Sequence, residues 1–162
     1  MRNFGIELKW GLIFTAAGLL WSLIEKLTGL HDEHIEEHMI YTNIFAVVAI
    51  AIFVFALKDK KQNFYGGEMT WSQGFISGLA ISVVVAMLTP LSMYLTFGYM
   101  SPNYFENVIE LTVSKGIHSR EVAEKYFNLE GYILQGIFSG LSMGVVTSAI
   151  VALFVKTNKK VA

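Results

Sequence analysis

The residue types best suited to chemistry are concentrated in residues 31–38, which read His-Asp-Glu-His-Ile-Glu-Glu-His. This segment holds three of the four histidines of the chain and four acidic side chains. On a helix, His34 and His38 would lie one turn apart and could bind Zn²⁺ or another divalent ion, with His31 or Glu37 as a further ligand. The sequence therefore offers a candidate metal site made of His31, His34, His38 and Glu37.

Catalytic zinc is a poor interpretation of this segment. His34 to His38 match the His-x-x-Glu-His pattern, with Glu37 in the position of the general base. Such an enzyme needs a ligand from a second helix and a cleft for a peptide, whereas this segment is a tight turn between two apolar runs. We expect a solvated acidic turn and no enzymatic activity, with weak metal binding, joined by His118, or pH sensing as alternatives.

The composition of the chain indicates the class of protein in which this turn must be positioned. Hydrophobic residues make up 54% of the 162 residues, and charged residues make up 15%, against about 25% in soluble domains. A net charge of −1 gives no basic surface for nucleic acid, and the absence of cysteine excludes disulfides and thiolate metal sites. A soluble globular enzyme is therefore disfavoured.

Four apolar runs have the length and character of membrane helices, because about 20 residues of helix cross a hydrocarbon core of about 30 Å. We predict an all-α, four-helix bundle forming a single membrane domain over 1–162. The first run could be the core of a signal peptide, but no cleavage site follows it, so we expect it to be retained, with Glu25 and Lys26 snorkelling to the surface. The predicted spans are 9–29, 39–57, 71–100 and 131–155.

Charges and aromatic residues predict the orientation of the bundle. With both termini cytoplasmic, eight basic residues lie inside and four outside, and the net charges are +5 and −6. Trp and Tyr residues fall at the span ends, as interfacial anchors do. The inner basic residues are Arg2, Lys9, Lys58, Lys60, Lys61, Lys156, Lys159 and Lys160; the anchors are Trp10 and Trp71 inside, and Tyr41, Tyr99 and Tyr132 outside.

Several local patterns predict details of the helices. Thr70 and Gln73 form a capping-box pattern that starts the third helix at Trp71, and Pro90 predicts a bend within it. Small residues recur every four positions on the third and fourth spans, which favours close packing of these spans within one chain over a dimer interface. The two small-residue stripes are Gly74, Gly78 and Ser82, and Gly136, Gly140, Gly144 and Ser148.

The aqueous segment 101–130 is predicted to be helical and to lie on the outer side. Ser101 is a suitable N-cap before Pro102, an amphipathic helix follows and ends near Gly116, and a second short helix follows Ser119. No ionisable residue lies in the interiors of the apolar runs, which disfavours a proton-driven carrier.

The chain resembles a family of small bacterial membrane proteins known as domain of unknown function 4199. The resemblance rests on the Gly-Gly-Glu-Met-Thr-Trp-Ser-Gln-Gly sequence of residues 66–74 and on Ser-Pro-Asn-Tyr at 101–104, and similar order extends over nearly the whole chain. It implies a multi-pass protein of a bacterial inner membrane and brings no activity, cofactor or catalytic residue. The histidine-rich turn is not part of the family pattern.

Three functions are compatible with these patterns. We expect a non-enzymatic accessory or self-associating membrane protein without a cofactor, whose surroundings are the lipid bilayer and whose partner is a second copy or another membrane protein. One alternative is a small transport or permeation protein lined by Ser and Thr around Pro90. The other is a divalent-metal-binding protein that uses the histidine-rich hairpin. Nucleic acid is excluded as a partner by the charge balance.

Overall fold

The computed structural model describes residues 4–158. Within this range four helical stretches are long and apolar enough to cross a membrane, Gly5–Leu27, Ile35–Asn63, Trp71–Met100 and Leu129–Val155, which confirms the predicted all-α, four-helix membrane bundle. The helices are α1 Gly5–Leu27, α2 His38–Thr42, α3 Phe45–Asn63, α4 Trp71–Met93, α5 Tyr104–Ser114, α6 Arg120–Tyr126 and α7 Leu129–Val155; a 3₁₀ turn, Ile35–Glu37, precedes α2, and a π-helix, Tyr94–Met100, continues α4.

Helix ends follow local chemistry in α4 but not in α3. The Thr70 amide donates to Gln73 Oε1 at 2.8 Å and the Gln73 amide donates to Thr70 Oγ1 at 3.2 Å, so the capping box is present and α4 begins at Trp71. Helix α3 continues to Asn63, six residues beyond the end of the predicted second span at residue 57. Lysine is a good helix former, so charge alone does not end a helix.

The predicted anchors differ in their surroundings. Tyr41 and Tyr99 are exposed, and the Trp71 indole is exposed and donates to the Ala149 carbonyl at 3.0 Å. The Trp10 indole instead donates to the Asp59 carboxylate, and Tyr132 packs among other aromatic rings. The basic residues Arg2, Lys159 and Lys160, which support the predicted orientation, lie outside the described residues.

Contacts divide the chain into two compact units. We call residues 4–14, 46–87 and 138–158 the termini unit, and residues 15–45 and 88–137 the hairpin unit. Helices α1 and α7, and the π-extended α4, each contribute residues to both units.

The termini unit is built on close approach of α4 to α7. A Cβ added to Gly78 would lie 2.6 Å from Ser148 Cβ, and one added to Gly144 would lie 2.6 Å from Ser82 Cβ. These backbones approach so closely that only glycine fits, as small-residue stripes in membrane helices allow. A Cβ added to Gly74 would lie 3.1 Å from Ala152 Cβ, a looser approach, and in the hairpin unit Gly136 lies against Thr89 and Met93. Gly140 has no atom within 4 Å of a Cβ added there.

A buried ion pair also lies in the termini unit. Lys60 Nζ lies 2.9 Å from Glu7 Oε1 and 3.0 Å from Glu7 Oε2, and the Ser77 hydroxyl donates to Glu7 Oε1 at 2.8 Å. Glu7 and Lys60 are 4% and 3% exposed. Glu7 and Lys60 lie on the parts of α1 and α3 that extend beyond the apolar runs, so this buried pair lies outside the predicted spans.

The hairpin unit contains the connection from α1 to α3 and the connection from α4 to α7. Helix α5 ends before Gly116, whose φ of +66° suits glycine, and the Ser119 hydroxyl caps α6 by accepting from the Val122 amide. Asn103, not Ser101, is the N-cap residue of α5, which corrects the predicted cap. Pro90 lies inside α4, and four residues later the helix widens into the π-helix.

Candidate metal centre

Glu25, His31 and His38 converge in the hairpin unit. Glu25 Oε2 lies 3.6 Å from His31 Nε2 and 3.7 Å from His38 Nε2, and one ligand atom of each residue lies within 4.8 Å of the other two. The exposed side-chain fractions are 5% for Glu25, 1% for His31 and 15% for His38. The three side chains therefore form a compact and nearly enclosed cluster.

The chain reversal after α1 brings these residues together. Glu25 lies in the last turn of α1, and the Leu30 amide donates to the Glu25 carbonyl at 2.9 Å. Gly29 adopts a φ of +78°, a left-handed conformation in which glycine is unstrained, and its carbonyl accepts from the His34 amide at 2.8 Å. This turn places His31 beside the helix it has just left, and His38 follows at the start of α2.

Hydroxyl groups from the segment after α4 orient both imidazole rings. His31 Nδ1 lies 2.7 Å from Ser101 Oγ, and His38 Nδ1 lies 3.2 Å from Tyr104 Oη. When each Nδ1 carries the proton, these oxygens accept it and the Nε2 lone pairs are directed to Glu25. Metal-bound histidines are usually held by such a hydrogen bond from the second ring nitrogen.

Aromatic rings and burial complete the surroundings of the cluster. The Tyr104 ring lies 5.1 Å from the His31 ring and 5.3 Å from the His38 ring, and Phe97 contacts Tyr104. Burial, and next the neighbouring Tyr132, raise the pKa of the Tyr104 phenol. Tyr104 therefore stays neutral and can accept from His38 Nδ1.

The spacing of the three ligand atoms suits a shared metal ion better than direct hydrogen bonds. A nitrogen–oxygen separation of 3.6 Å or 3.7 Å exceeds the usual range of about 2.7–3.2 Å for a hydrogen bond. Tetrahedral Zn²⁺ with ligands at about 2.0–2.1 Å separates neighbouring ligand atoms by about 3.3 Å. Small shifts would therefore bring all three atoms onto one ion, with a fourth position left for water or another ligand.

The donor set indicates the class of metal. Two imidazoles and one carboxylate suit zinc and other first-row divalent ions, and they are a poor set for Mg²⁺ or Ca²⁺, which prefer oxygen ligands. Imidazole coordinates a metal ion as the neutral ring, through the lone pair of the nitrogen that carries no proton.

Two of the predicted ligands lie apart from the cluster. Of the predicted set His31, His34, His38 and Glu37, the structure brings His31 and His38 together with Glu25, whereas His34 and Glu37 are exposed and are not part of this cluster. Residues 28–34 form turns and Ile35–Glu37 is a 3₁₀ turn, so His34 and His38 do not share one helix face. His118 stacks on Tyr126 instead.

Glu25 is the candidate ligand that the sequence patterns did not predict. Its position near the end of an apolar run predicted snorkelling, yet the Trp21 indole donates to Glu25 Oε1 at 2.8 Å and the carboxylate is buried. The available signal was the spacing. Glu25 lies one helical turn before Gly29, and a chain that reverses at Gly29 can bring His31 back to Glu25. Ser101 and Tyr104 carried no such signal.

The Ser and Thr residues proposed to line a permeation path show a different arrangement. The Ser92 hydroxyl donates to the Leu88 carbonyl of its own helix at 3.2 Å, Thr96 is buried, and Ser139 and Ser142 are exposed. The Ser92 contact is typical of a small polar residue whose hydroxyl bonds a carbonyl of its own membrane helix.

The fold and the site define a class: a four-helix membrane protein with a buried carboxylate–imidazole cluster in its connecting segments. The family described as protein of unknown function, DUF4199, matches residues 9–157, and the chain belongs to this family. No curated protein and no solved structure matches the chain.

Proposed function

We propose that this chain is a non-enzymatic, multi-pass protein of a bacterial inner membrane that binds one divalent transition-metal ion, Zn²⁺ or a similar ion, through Glu25, His31 and His38. The observation that carries the proposal is the convergence of one carboxylate oxygen and two Nε2 atoms at 3.6 Å and 3.7 Å in a nearly enclosed position. A solvated acidic turn would not bury His31 to 1% exposure. Burying three polar groups costs free energy unless they are paired or coordinate a metal.

A structural role for the metal fits the positions of its ligands. Glu25 belongs to α1 and His38 to α2, so an ion between them would fasten the connection of the first two long helices. Through Ser101 and Tyr104 the same ion would order the segment after α4. The ligands are enclosed, which leaves little room for a substrate at the fourth position. We therefore propose an accessory protein whose connecting segments are shaped by metal.

Charge and surface support the membrane placement. Large apolar side chains remain highly exposed along the long helices, for example Leu20 at 59%, Phe138 at 69% and Phe154 at 81%. Such side chains suit contact with lipid. The excess of basic residues among 1–14, 58–70 and 156–162 supports a cytoplasmic position for both termini, so the metal centre would face outward.

Metal analysis of the purified protein tests the binding proposal. Protein in detergent, dialysed against Zn²⁺, is expected to retain one equivalent, and Glu25→Gln and His38→Gln are expected to lose it. His118→Gln is the matched control, because this histidine lies outside the cluster. Wild-type protein without bound Zn²⁺, or equal loss in His118→Gln, would overturn the proposal.

Cysteine labelling tests the orientation. The chain has no cysteine, so each introduced cysteine is a unique reporter. Glu36→Cys is expected to react with a membrane-impermeant maleimide in intact cells, whereas Gln62→Cys is expected to react only after lysis. Both positions are exposed. The reverse pattern would place the termini outside.

A further inference from the structure

Glu25 is also part of the wall of a groove that the metal centre does not use. This groove has a volume of about 340 Å³, and its polar wall residues include Trp21, Glu25, Thr28, His34, Glu37 and Tyr41. All of them belong to the hairpin unit. His34 and Glu37, which the sequence marks as ligands and the cluster leaves out, therefore lie on the same groove as Glu25.

The Glu25 carboxylate has its two oxygens in different surroundings. Oε1 accepts from the Trp21 indole at 2.8 Å, and Trp21 lies on the groove wall. Oε2 is the oxygen that lies near the two Nε2 atoms. One oxygen of the carboxylate thus lies beside the groove residue Trp21. The other lies near His31 and His38, which are not among the groove residues.

We propose that this groove is the path by which the metal ion reaches its site, and that His34 and Glu37 bind the ion first and transfer it to Glu25. The inference rests on the proposed metal-binding function and adds the route of loading. An ion held by His34 and Glu37 would meet Glu25 Oε1, and rotation of the carboxylate away from Trp21 would bring the ion to Oε2 and the histidines.

Burial and charge explain why such a path is needed. The side chains of His31 and His38 are 1% and 15% exposed, so a hydrated ion has little direct access to them from water. His34 and Glu37 are exposed, which lets them replace water molecules around the ion one at a time. A negative charge at the opening raises the local concentration of cations and their association rate.

The same hairpin carries a second acidic groove that provides a control. That groove is lined by Asp32, Glu33, Asn107 and Glu110 among others, and Glu25 is not among its lining residues. Glu33→Gln removes the same charge as Glu37→Gln from the same connection between α1 and α2. If the hairpin only attracts cations in general, both changes should slow metal loading equally. If the ion follows a defined path through His34 and Glu37, only Glu37→Gln should slow it.

Stopped-flow measurement with Co²⁺ on the detergent-solubilised full chain tests the path. In His34→Ala/Glu37→Gln we expect association and dissociation rates to fall together by about tenfold, with unchanged Kd, because a path affects both directions equally. Glu33→Gln should bind Co²⁺ at the wild-type rate.

Each other result overturns a defined part of the interpretation. Wild-type rates in His34→Ala/Glu37→Gln, or equal slowing in Glu33→Gln, would overturn the path. A raised Kd in the double variant would make these residues ligands of the final site, which also overturns it. Failure of wild-type protein to bind Co²⁺ at equilibrium would overturn the proposed function itself, and the path with it.

Discussion

The two units each contain a buried cluster of ionisable side chains, and the clusters differ in spacing. In the termini unit, Glu7 and Lys60 contact each other at 2.9–3.0 Å and the Ser77 hydroxyl adds a further bond. In the hairpin unit, Glu25 lies 3.6 Å and 3.7 Å from two imidazole nitrogens. The first cluster is closed by its own opposite charges, while the second leaves a separation that the proposed metal ion would fill. Spacing and ligand type, more than burial, therefore distinguish the candidate site from a structural pair.

The largest effect is expected when the closed pair is broken. Lys60→Met leaves Glu7 buried without its counter-charge, which should lower the free energy of unfolding by about 3–5 kcal/mol. Denaturant titration in detergent micelles measures this change. The double variant Glu7→Gln/Lys60→Met should recover most of the loss, because no uncompensated charge remains. Equal stabilities of Lys60→Met and wild type would show that the pair is not closed as described.

The open cluster should respond to metal where the closed pair does not. At a free Zn²⁺ concentration of about one hundred times the Kd, wild-type protein should gain about 2.7 kcal/mol of stability, and Glu25→Gln should gain none. Thermal unfolding with and without Zn²⁺ measures the gain in both proteins. A gain that persists in Glu25→Gln would contradict the assignment of the ligands.

A smaller effect is expected from the groups that orient the imidazoles. Ser101→Ala removes the acceptor 2.7 Å from His31 Nδ1 and should weaken Zn²⁺ binding by about 10- to 100-fold. Competition with a fluorescent zinc chelator measures the affinity. Ser92→Ala is the matched control, because that hydroxyl bonds the Leu88 carbonyl of its own helix. Equal Zn²⁺ affinities of Ser101→Ala and Ser92→Ala would show that Ser101 does not support the metal site.

These residues also show how far the sequence predicts the molecule. The start of α4 at Trp71 and the four membrane helices follow from capping and apolar length, which are local properties. His31 and His38 were identified by residue type. Glu25 was not, since its burial depends on the reversal at Gly29 and on hydroxyls at Ser101 and Tyr104. Contacts across about 70 residues leave no local pattern.

The smallest effect is expected at an exposed ion pair that contrasts with the buried one. The Lys9 ammonium contacts the Asp59 carboxylate, and the Lys9 side chain is 52% exposed. Lys9→Ala should change the free energy of unfolding by only about 0.2–1 kcal/mol, because solvent screens such pairs. The denaturant titration used for Lys60→Met gives the comparison directly. If Lys9→Ala lowers the free energy of unfolding as much as Lys60→Met does, exposure to solvent does not explain the difference between the two ion pairs.

X-ray absorption spectroscopy of the Zn²⁺-loaded protein examines the metal centre itself. With Glu25, His31 and His38 as ligands, the spectrum should show imidazole scattering from two rings and light-atom ligands at about 2.0–2.1 Å. In Glu25→Gln the absorption of bound zinc should disappear, or the set of ligand atoms around the zinc should change. An all-oxygen shell without imidazole scattering in the wild-type protein would contradict a metal centre at this cluster.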